Sequence, residues 1–295
     1  MRFLAPLVLS LACSEYSLES KIDNNLGADS GLLEDGTDGE GGTSDTSAPE
    51  EPRDENAPFA VCSVSPTTVT PPFQAATFDG SASYDPSGAP LASYEWELTF
   101  KPNGSSATLP FTSANQIPGF YADLAGSYTA QLTVTNQMGI LDSCLVTLES
   151  LPTQDLWVEM FWDQIDDMDL HLLAPGGTYD DWSTDCYFSN CVNGGPDWGV
   201  LGDSSDDPSL DLDDIDGYGP ENINIYNPQA NGSYTVLVHD YTGSAPTDTY
   251  GPNNVTVNVY LNGTMAWTDT RAISDDGTVT PFCEINWATQ SVTPL

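Results

Sequence analysis

Two stretches of the chain alternate apolar and polar residues with the period of a strand. In Ser93-Tyr94-Glu95-Trp96-Glu97-Leu98, the residues Tyr94, Trp96 and Leu98 fall on one face and the glutamates on the other. In Gly126-Ser127-Tyr128-Thr129-Ala130-Gln131-Leu132-Thr133-Val134, the residues Tyr128, Ala130, Leu132 and Val134 do the same. Side chains of a strand point alternately to opposite sides, so two half-buried strands are predicted. Turn clusters at Asp85-Pro86-Ser87-Gly88 and Lys101-Pro102-Asn103-Gly104 punctuate them. Further strand-like runs cover 155–162, 169–173, 221–226, 233–239, 255–261 and 265–270, with a last run at 281–288. Asn262-Gly263 between two such runs is the strongest short-range hairpin signal. With 25 Gly and 22 Pro beside plentiful Thr, Ser, Tyr and Val, the composition favours short strands joined by turns. The predicted fold class is all-β: two tandem β-sandwich domains at 57–150 and 153–295, the second antiparallel and jelly-roll-like.

The first residues follow a different pattern. Met1 and Arg2 precede a short apolar stretch, 3–12, which ends in Leu9-Ser10-Leu11-Ala12-Cys13. This reads as a secretory signal. Residues 1–13 resemble a bacterial lipoprotein signal, in which Cys13 becomes the lipidated first residue of the mature chain. Residues 14–56 then turn to Ser, Gly, Asp, Glu and Pro. Such a segment buries too little apolar surface to offset its ordering entropy, so a disordered acidic linker is predicted there.

Charge narrows the partners. Asp and Glu number 44 against 5 Lys and Arg, a formal net charge of -39. Nucleic acid and anionic membrane surfaces repel such a chain. The chain has no apolar run near the roughly 18–20 residues that span a bilayer, so membrane contact is expected only through a lipid anchor on Cys13. The expected location is the bacterial cell envelope, exported and lipid-anchored at the outer membrane or cell surface.

The segment 57–150 resembles a PKD domain, an immunoglobulin-like β-sandwich common in bacterial surface proteins. The likeness is carried by Asp79-Gly80-Ser81-Ala82-Ser83-Tyr84-Asp85-Pro86-Ser87-Gly88, by Tyr94-Glu95-Trp96, and by the run from Ala125 to Asn136. It implies a spacer or adhesive module without catalytic residues. Cys62 and Cys144 lie near the first and last strands of this unit, positions that a sandwich can bring together, and a disulfide is expected between them. Closing so long a loop is worth about 4.5 kcal/mol on chain-entropy grounds.

In the second segment the acids are unusual in number and register. Seventeen carboxylates lie between Asp155 and Asp216, and no Lys or Arg occurs between Lys101 and Arg271. In Asp167-Met168-Asp169-Leu170-His171-Leu172 the acids and the histidine share one strand face, and Leu210-Asp211-Leu212-Asp213 repeats the arrangement. If these strands are neighbours, carboxylates converge. Two charges 4 Å apart repel by about 4 kcal/mol at an effective dielectric near 20, so something must offset the cost. A hard divalent cation suits oxygen ligands, and Ca²⁺ accepts six to eight of them in loose geometry. The candidate ligands are Asp167, Asp169, Asp211, Asp213, Asp214, Asp216 and Glu221. The competing reading is a solvated acidic face. An EF-hand is excluded, because placing Gly217 sixth puts Leu212 first and Ile223 twelfth. Zinc is disfavoured because the chain has only 2 His and its cysteines are expected to be oxidised.

Blocks at 167–172, 174–177, 185–188, 206–214 and 216–223 are similar to a domain that recurs in secreted and lipid-anchored bacterial proteins, often beside PKD-like or other adhesive modules. The resemblance implies a β-sandwich and names no ligand. Among the remaining thiols, Cys186 with Cys191 leaves Cys283 unpaired, and Cys186 or Cys191 with Cys283 is the competing map. Trp182 and Trp198 sit in Gly/Pro/Asp-rich loops, where they could stack on a sugar face or cover the carboxylates. The His residues, His171 in an outward strand position and His239 at a strand end, are expected to be structural or solvent-facing. No Gly-x-Ser-x-Gly, His-Glu-x-x-His or phosphate loop is present. The expected function is a non-enzymatic surface adhesion module, Ca²⁺-stabilised, that binds a surface polysaccharide or protein. A carbohydrate-binding module is the first alternative, and a glycosidase or other hydrolase the second.

Overall fold

A computed structural model describes residues 53–192, 194–215, 217–242, 252–274 and 277–295. Cys13, the predicted signal and nearly all of the predicted linker lie outside these residues. So does Asp216. No helix occurs among the described residues, and the strands form four sheets, as the alternation predicted.

The first pair of sheets is built from β1 (Ser63–Ser65), β2 (Thr68–Val69), β3 (Ala75–Asp79), β4 (Ser93–Phe100), β5 (Gln116–Tyr121), β6 (Gly126–Thr135) and β7 (Leu141–Ser150). One sheet runs β1-β3-β5 and the other β2-β7-β6-β4. In β6 the alternation is strict, with Tyr128, Ala130, Leu132 and Val134 buried. These side chains pack with Phe78, Trp96, Ile117, Phe120 and Leu148 in one core. A disulfide joins Cys62 to Cys144, with Cα atoms 6.1 Å apart.

The second pair begins after residue 155. Its strands are β8 (Leu156–Phe161), β9 (Met168–Leu173), β10 (Asp185–Cys186), β11 (Ser209–Leu212), β12 (Glu221–Ile225), β13 (Ser233–Asp240), β14 (Asn253–Leu261), β15 (Thr264–Ile273), β16 (Val279–Asn286) and β17 (Ser291–Pro294). The sheets run β10-β9-β13-β16-β17 and β11-β12-β8-β14-β15. Asn262 and Gly263 join β14 to β15 with φ of 51° and 74°. Those left-handed values are the ones an Asn-Gly hairpin turn requires. Cys186 is bonded to Cys191 inside the core, and Cys283 is a buried free thiol.

Strands β8, β9 and β12 are buried on both faces, unlike ordinary half-exposed strands. One face of each supplies the shared core, through Leu156, Val158 and Met160, Leu170 and Leu172, and Ile223 and Ile225. The outer face of β8 is covered by the first sandwich, since Trp157 and Tyr260 pack on Ala125. There the buried Glu159 carboxylate accepts hydrogen bonds from Ala125 N (3.1 Å), Trp157 Nε1 (3.1 Å), Asn258 Nδ2 (3.1 Å) and Tyr260 OH (3.0 Å). Gly104, at φ +79°, lies so close to Phe161 that a Cβ would fall 2.1 Å from its ring. The outer face of β9 is covered differently, and that cover forms the site.

Candidate metal centre

The register of β9 against β13 sets the cluster. Asp169 pairs with His239 and His171 with Leu237, so Asp169, His171 and His239 project from one face while Leu170 and Leu172 enter the core. On its other side β9 meets β10, which reaches only Leu172 and Leu173. The Leu170 amide therefore has no strand to bond. Glu221, at the start of β12 in the opposite sheet, takes that place, its Oε2 accepting the Leu170 N–H at 2.8 Å.

The loop between β11 and β12 brings Asp213 and Asp214 to the same corner. It is pinned by Trp162, whose N and Nε1 donate to Tyr218 O (3.0 Å) and Gly217 O (2.9 Å), and by Asp166 N to Gly217 O (3.1 Å). Asp214 N donates to Glu221 Oε1 at 3.4 Å, and Gly219 N to Asp214 Oδ2 at 2.9 Å. A Cβ at Gly217 would sit 2.2 Å from Asp214 Oδ2, so a larger residue there would displace that carboxylate.

Two overlapping groups result. In one, carboxylate oxygens of Asp169, Asp213 and Glu221 lie within 4.8 Å of one another. In the other, ring nitrogens of His171 and His239 and an oxygen of Asp169 do so. Glu221 is fully buried and Asp169 nearly so, while Asp213 faces solvent. Burial, and then the charges of Asp167 and Asp213, push the Asp169 carboxyl up to about 8. Burial, and then Asp169, hold Glu221 well above the usual carboxylate range, and desolvation raises Asp213 as well. Among the described residues the arginine ion pairs are Arg53 with Asp142 and Arg271 with Asp269, neither of them here. The corner is short of positive charge, and a bound cation would lift each of these penalties.

His171 is buried under the segment 174–191 rather than facing solvent. Its Nδ1 lies 2.9 and 3.0 Å from the two oxygens of the fully buried Asp185. Tyr187 stacks on the imidazole at 5.0 Å and 13°, and Tyr179 approaches it at 5.0 Å and 52°. The His239 ring is 5.9 Å away, and its Nδ1 lies 3.4 Å from Asp169 Oδ2. His171 Nε2 is buried and has no hydrogen-bond partner among the described residues.

Of the residues singled out from sequence, the fold gathers Asp169, Asp213 and Glu221, with Asp214 hydrogen-bonded beside them and Asp167 close enough to act on Asp169. Asp211 is turned to other partners, accepting from Ser209 Oγ (2.9 Å) and Asn224 Nδ2 (2.8 Å) at the bulge in β11. Trp182 is exposed. Trp198 is not available to a sugar: it belongs to the core, stacks on Tyr234 at 6.1 Å and donates from Nε1 to Ser183 O at 3.0 Å. Sequence reasoning missed the two histidines as partners of Asp169 and counted Asp185 among the acids without singling it out. The i, i+2 spacing of Asp169 and His171 was visible; the pairing of β9 with β13 that adds His239 was not.

No protein-family model matches the chain, and no curated protein matches it.

Proposed function

We propose that this chain is an exported, lipid-anchored surface module that binds a polysaccharide or protein through its β-sandwiches and uses a divalent cation, Ca²⁺, to hold the second sandwich together. The role is one of binding rather than catalysis. The observation that carries the metal part is the convergence of Asp169, Asp213 and Glu221 within 4.8 Å, two of them buried. Uncompensated carboxylates at that spacing repel strongly, and a hard cation with oxygen ligands is the group that offsets them. Asp214 and Asp167 stand near enough to complete or orient such a shell. The lipid anchor rests on the sequence ending in Cys13, and the surface partner on the resemblance of the first segment to PKD spacer or adhesive modules and of the second to a domain often found beside them.

The test is calorimetric titration of the full chain with Ca²⁺, paired with thermal melts in millimolar Ca²⁺ and in EGTA. Binding to the native state alone raises stability by RT ln(1 + [L]/Kd), about 2.7 kcal/mol at a hundredfold excess over Kd. A melt that is the same in both solutions refutes the cation reading. Palmitate labelling that depends on Cys13 tests the anchor separately. The exposed Trp182 keeps a sugar-binding reading open: glycan-array binding abolished by Trp182→Ala would establish it.

A further inference from the structure

We infer that Asp169, His171 and His239 form a second cation site, distinct in chemistry from the oxygen-only group and suited to a borderline divalent transition metal such as Zn²⁺. The inference rests on the geometry of the histidine group and shares only Asp169 with the Ca²⁺ reading.

Three residues on one sheet face, two of them i and i+2 on β9 and the third directly across on β13, present two ring nitrogens and one carboxylate oxygen within 4.8 Å. This is the N₂O donor set that zinc accepts from protein, with a further position left for an outside ligand. The decisive feature is the state of His171. A carboxylate at both 2.9 and 3.0 Å accepts, so Asp185 requires the proton on Nδ1. In that tautomer the lone pair is on Nε2, the atom with no hydrogen-bond partner among the described residues although the ring is only 2% exposed. A buried imidazole fixed by a carboxylate on one nitrogen and unpartnered on the other is the arrangement in which metal-ligating histidines are held. The cost of leaving a buried nitrogen unsatisfied is otherwise unexplained.

The surroundings fit a site rather than a packing accident. Asp185 is itself held, accepting from Asp180 N at 2.8 Å, so the whole Asp180–Asp185 segment orients His171. Tyr187 and Tyr179 fix the ring plane, and the partly exposed His239 stands on the solvent side as the way in. Hard Ca²⁺ prefers oxygen, whereas imidazole nitrogen selects transition metals in the order that ends with copper and zinc. The two groups therefore discriminate between cations by donor type.

Co²⁺ is the probe, because it occupies zinc sites and reports nitrogen ligation by visible absorption. The full wild-type chain is expected to bind one Co²⁺ with a visible band that Zn²⁺ bleaches and millimolar Ca²⁺ does not. His171→Ala and His239→Gln each abolish the band. Asp185→Asn, which acts through His171 and touches no metal, weakens Zn²⁺ binding by about 10–100-fold. Should His171→Ala fail to fold, His239→Gln at the partly exposed position decides alone. No band in the wild type, a band retained in folded His239→Gln, or a band displaced by Ca²⁺ overturns the inference. A missing Ca²⁺ effect with the Co²⁺ band intact refutes only the oxygen-group reading, and the reverse refutes only this one.

Discussion

Replacing Glu159 by Ala removes a buried carboxylate that accepts one hydrogen bond across the junction of the two sandwiches, from Ala125 N, and three from its own sandwich. Its four donors do not fare alike. Tyr260 OH can rotate and Asn258 can turn, but Ala125 N and Trp157 Nε1 are fixed by backbone and ring and stay buried. Two unsatisfied buried donors cost about 1–3 kcal/mol each. Against this, the variant escapes the burial cost that raises the Glu159 carboxyl above its ordinary range. The balance is a loss of about 3 kcal/mol, or a fall in melting temperature of about 9 °C for a unit of this size. Glu159→Gln keeps one acceptor oxygen and should lose about half as much. The assay is urea unfolding followed by tryptophan fluorescence and far-ultraviolet circular dichroism. Wild-type Pro52–Leu295 is one compact unit and is expected to unfold in one transition, with Glu159→Ala separating the probes. Stability of Glu159→Ala within about 0.5 kcal/mol of wild type would show that the junction is held by apolar contact alone.

Burial pushes the Cys283 thiol up to about 12. Because the folded value exceeds the unfolded one near 9, the native state holds its proton longer, and stability falls as pH rises from about 9 toward 12. Iodoacetamide at pH 8 should leave Cys283 unmodified in the native protein and alkylate it in urea, read by peptide mapping; native modification would place the thiol at the surface. Trp198→Ala should lower stability by about 3–5 kcal/mol through the cavity it leaves. Trp182→Ala should fall within about 0.5 kcal/mol of wild type, and equal effects at the two positions in denaturant melts would contradict their assigned burial.

Strands with clean alternation were legible from sequence. The run at 126–134 became β6 with every expected apolar residue buried, and the Asn262-Gly263 turn closed its hairpin. Short strands were not: β1, β2, β10 and β17 carry two to four residues each, too few for a period to register. In β9 the outward position of His171 left a structural and a solvent-facing role open, because local pattern cannot see a cover formed by residues 174–191. The site was half visible for a related reason. Asp169, Asp213 and Glu221 declared themselves as acids, but Asp185 and His239 reach the cluster only through long-range pairing of β10 and β13 with β9.

The carboxylate that bonds Leu170 also closes a gap in the sheet border that β10 is too short to span. Bare border amides are templates on which another chain can add a strand, and natural proteins guard them with charge or cover. Glu221 supplies both at one position. A copy in which Glu221 has been withdrawn, by substitution or by incomplete folding, offers a ready splice point to its neighbours. Wherever copies stand side by side at high concentration, that residue separates a field of individual molecules from an aggregate.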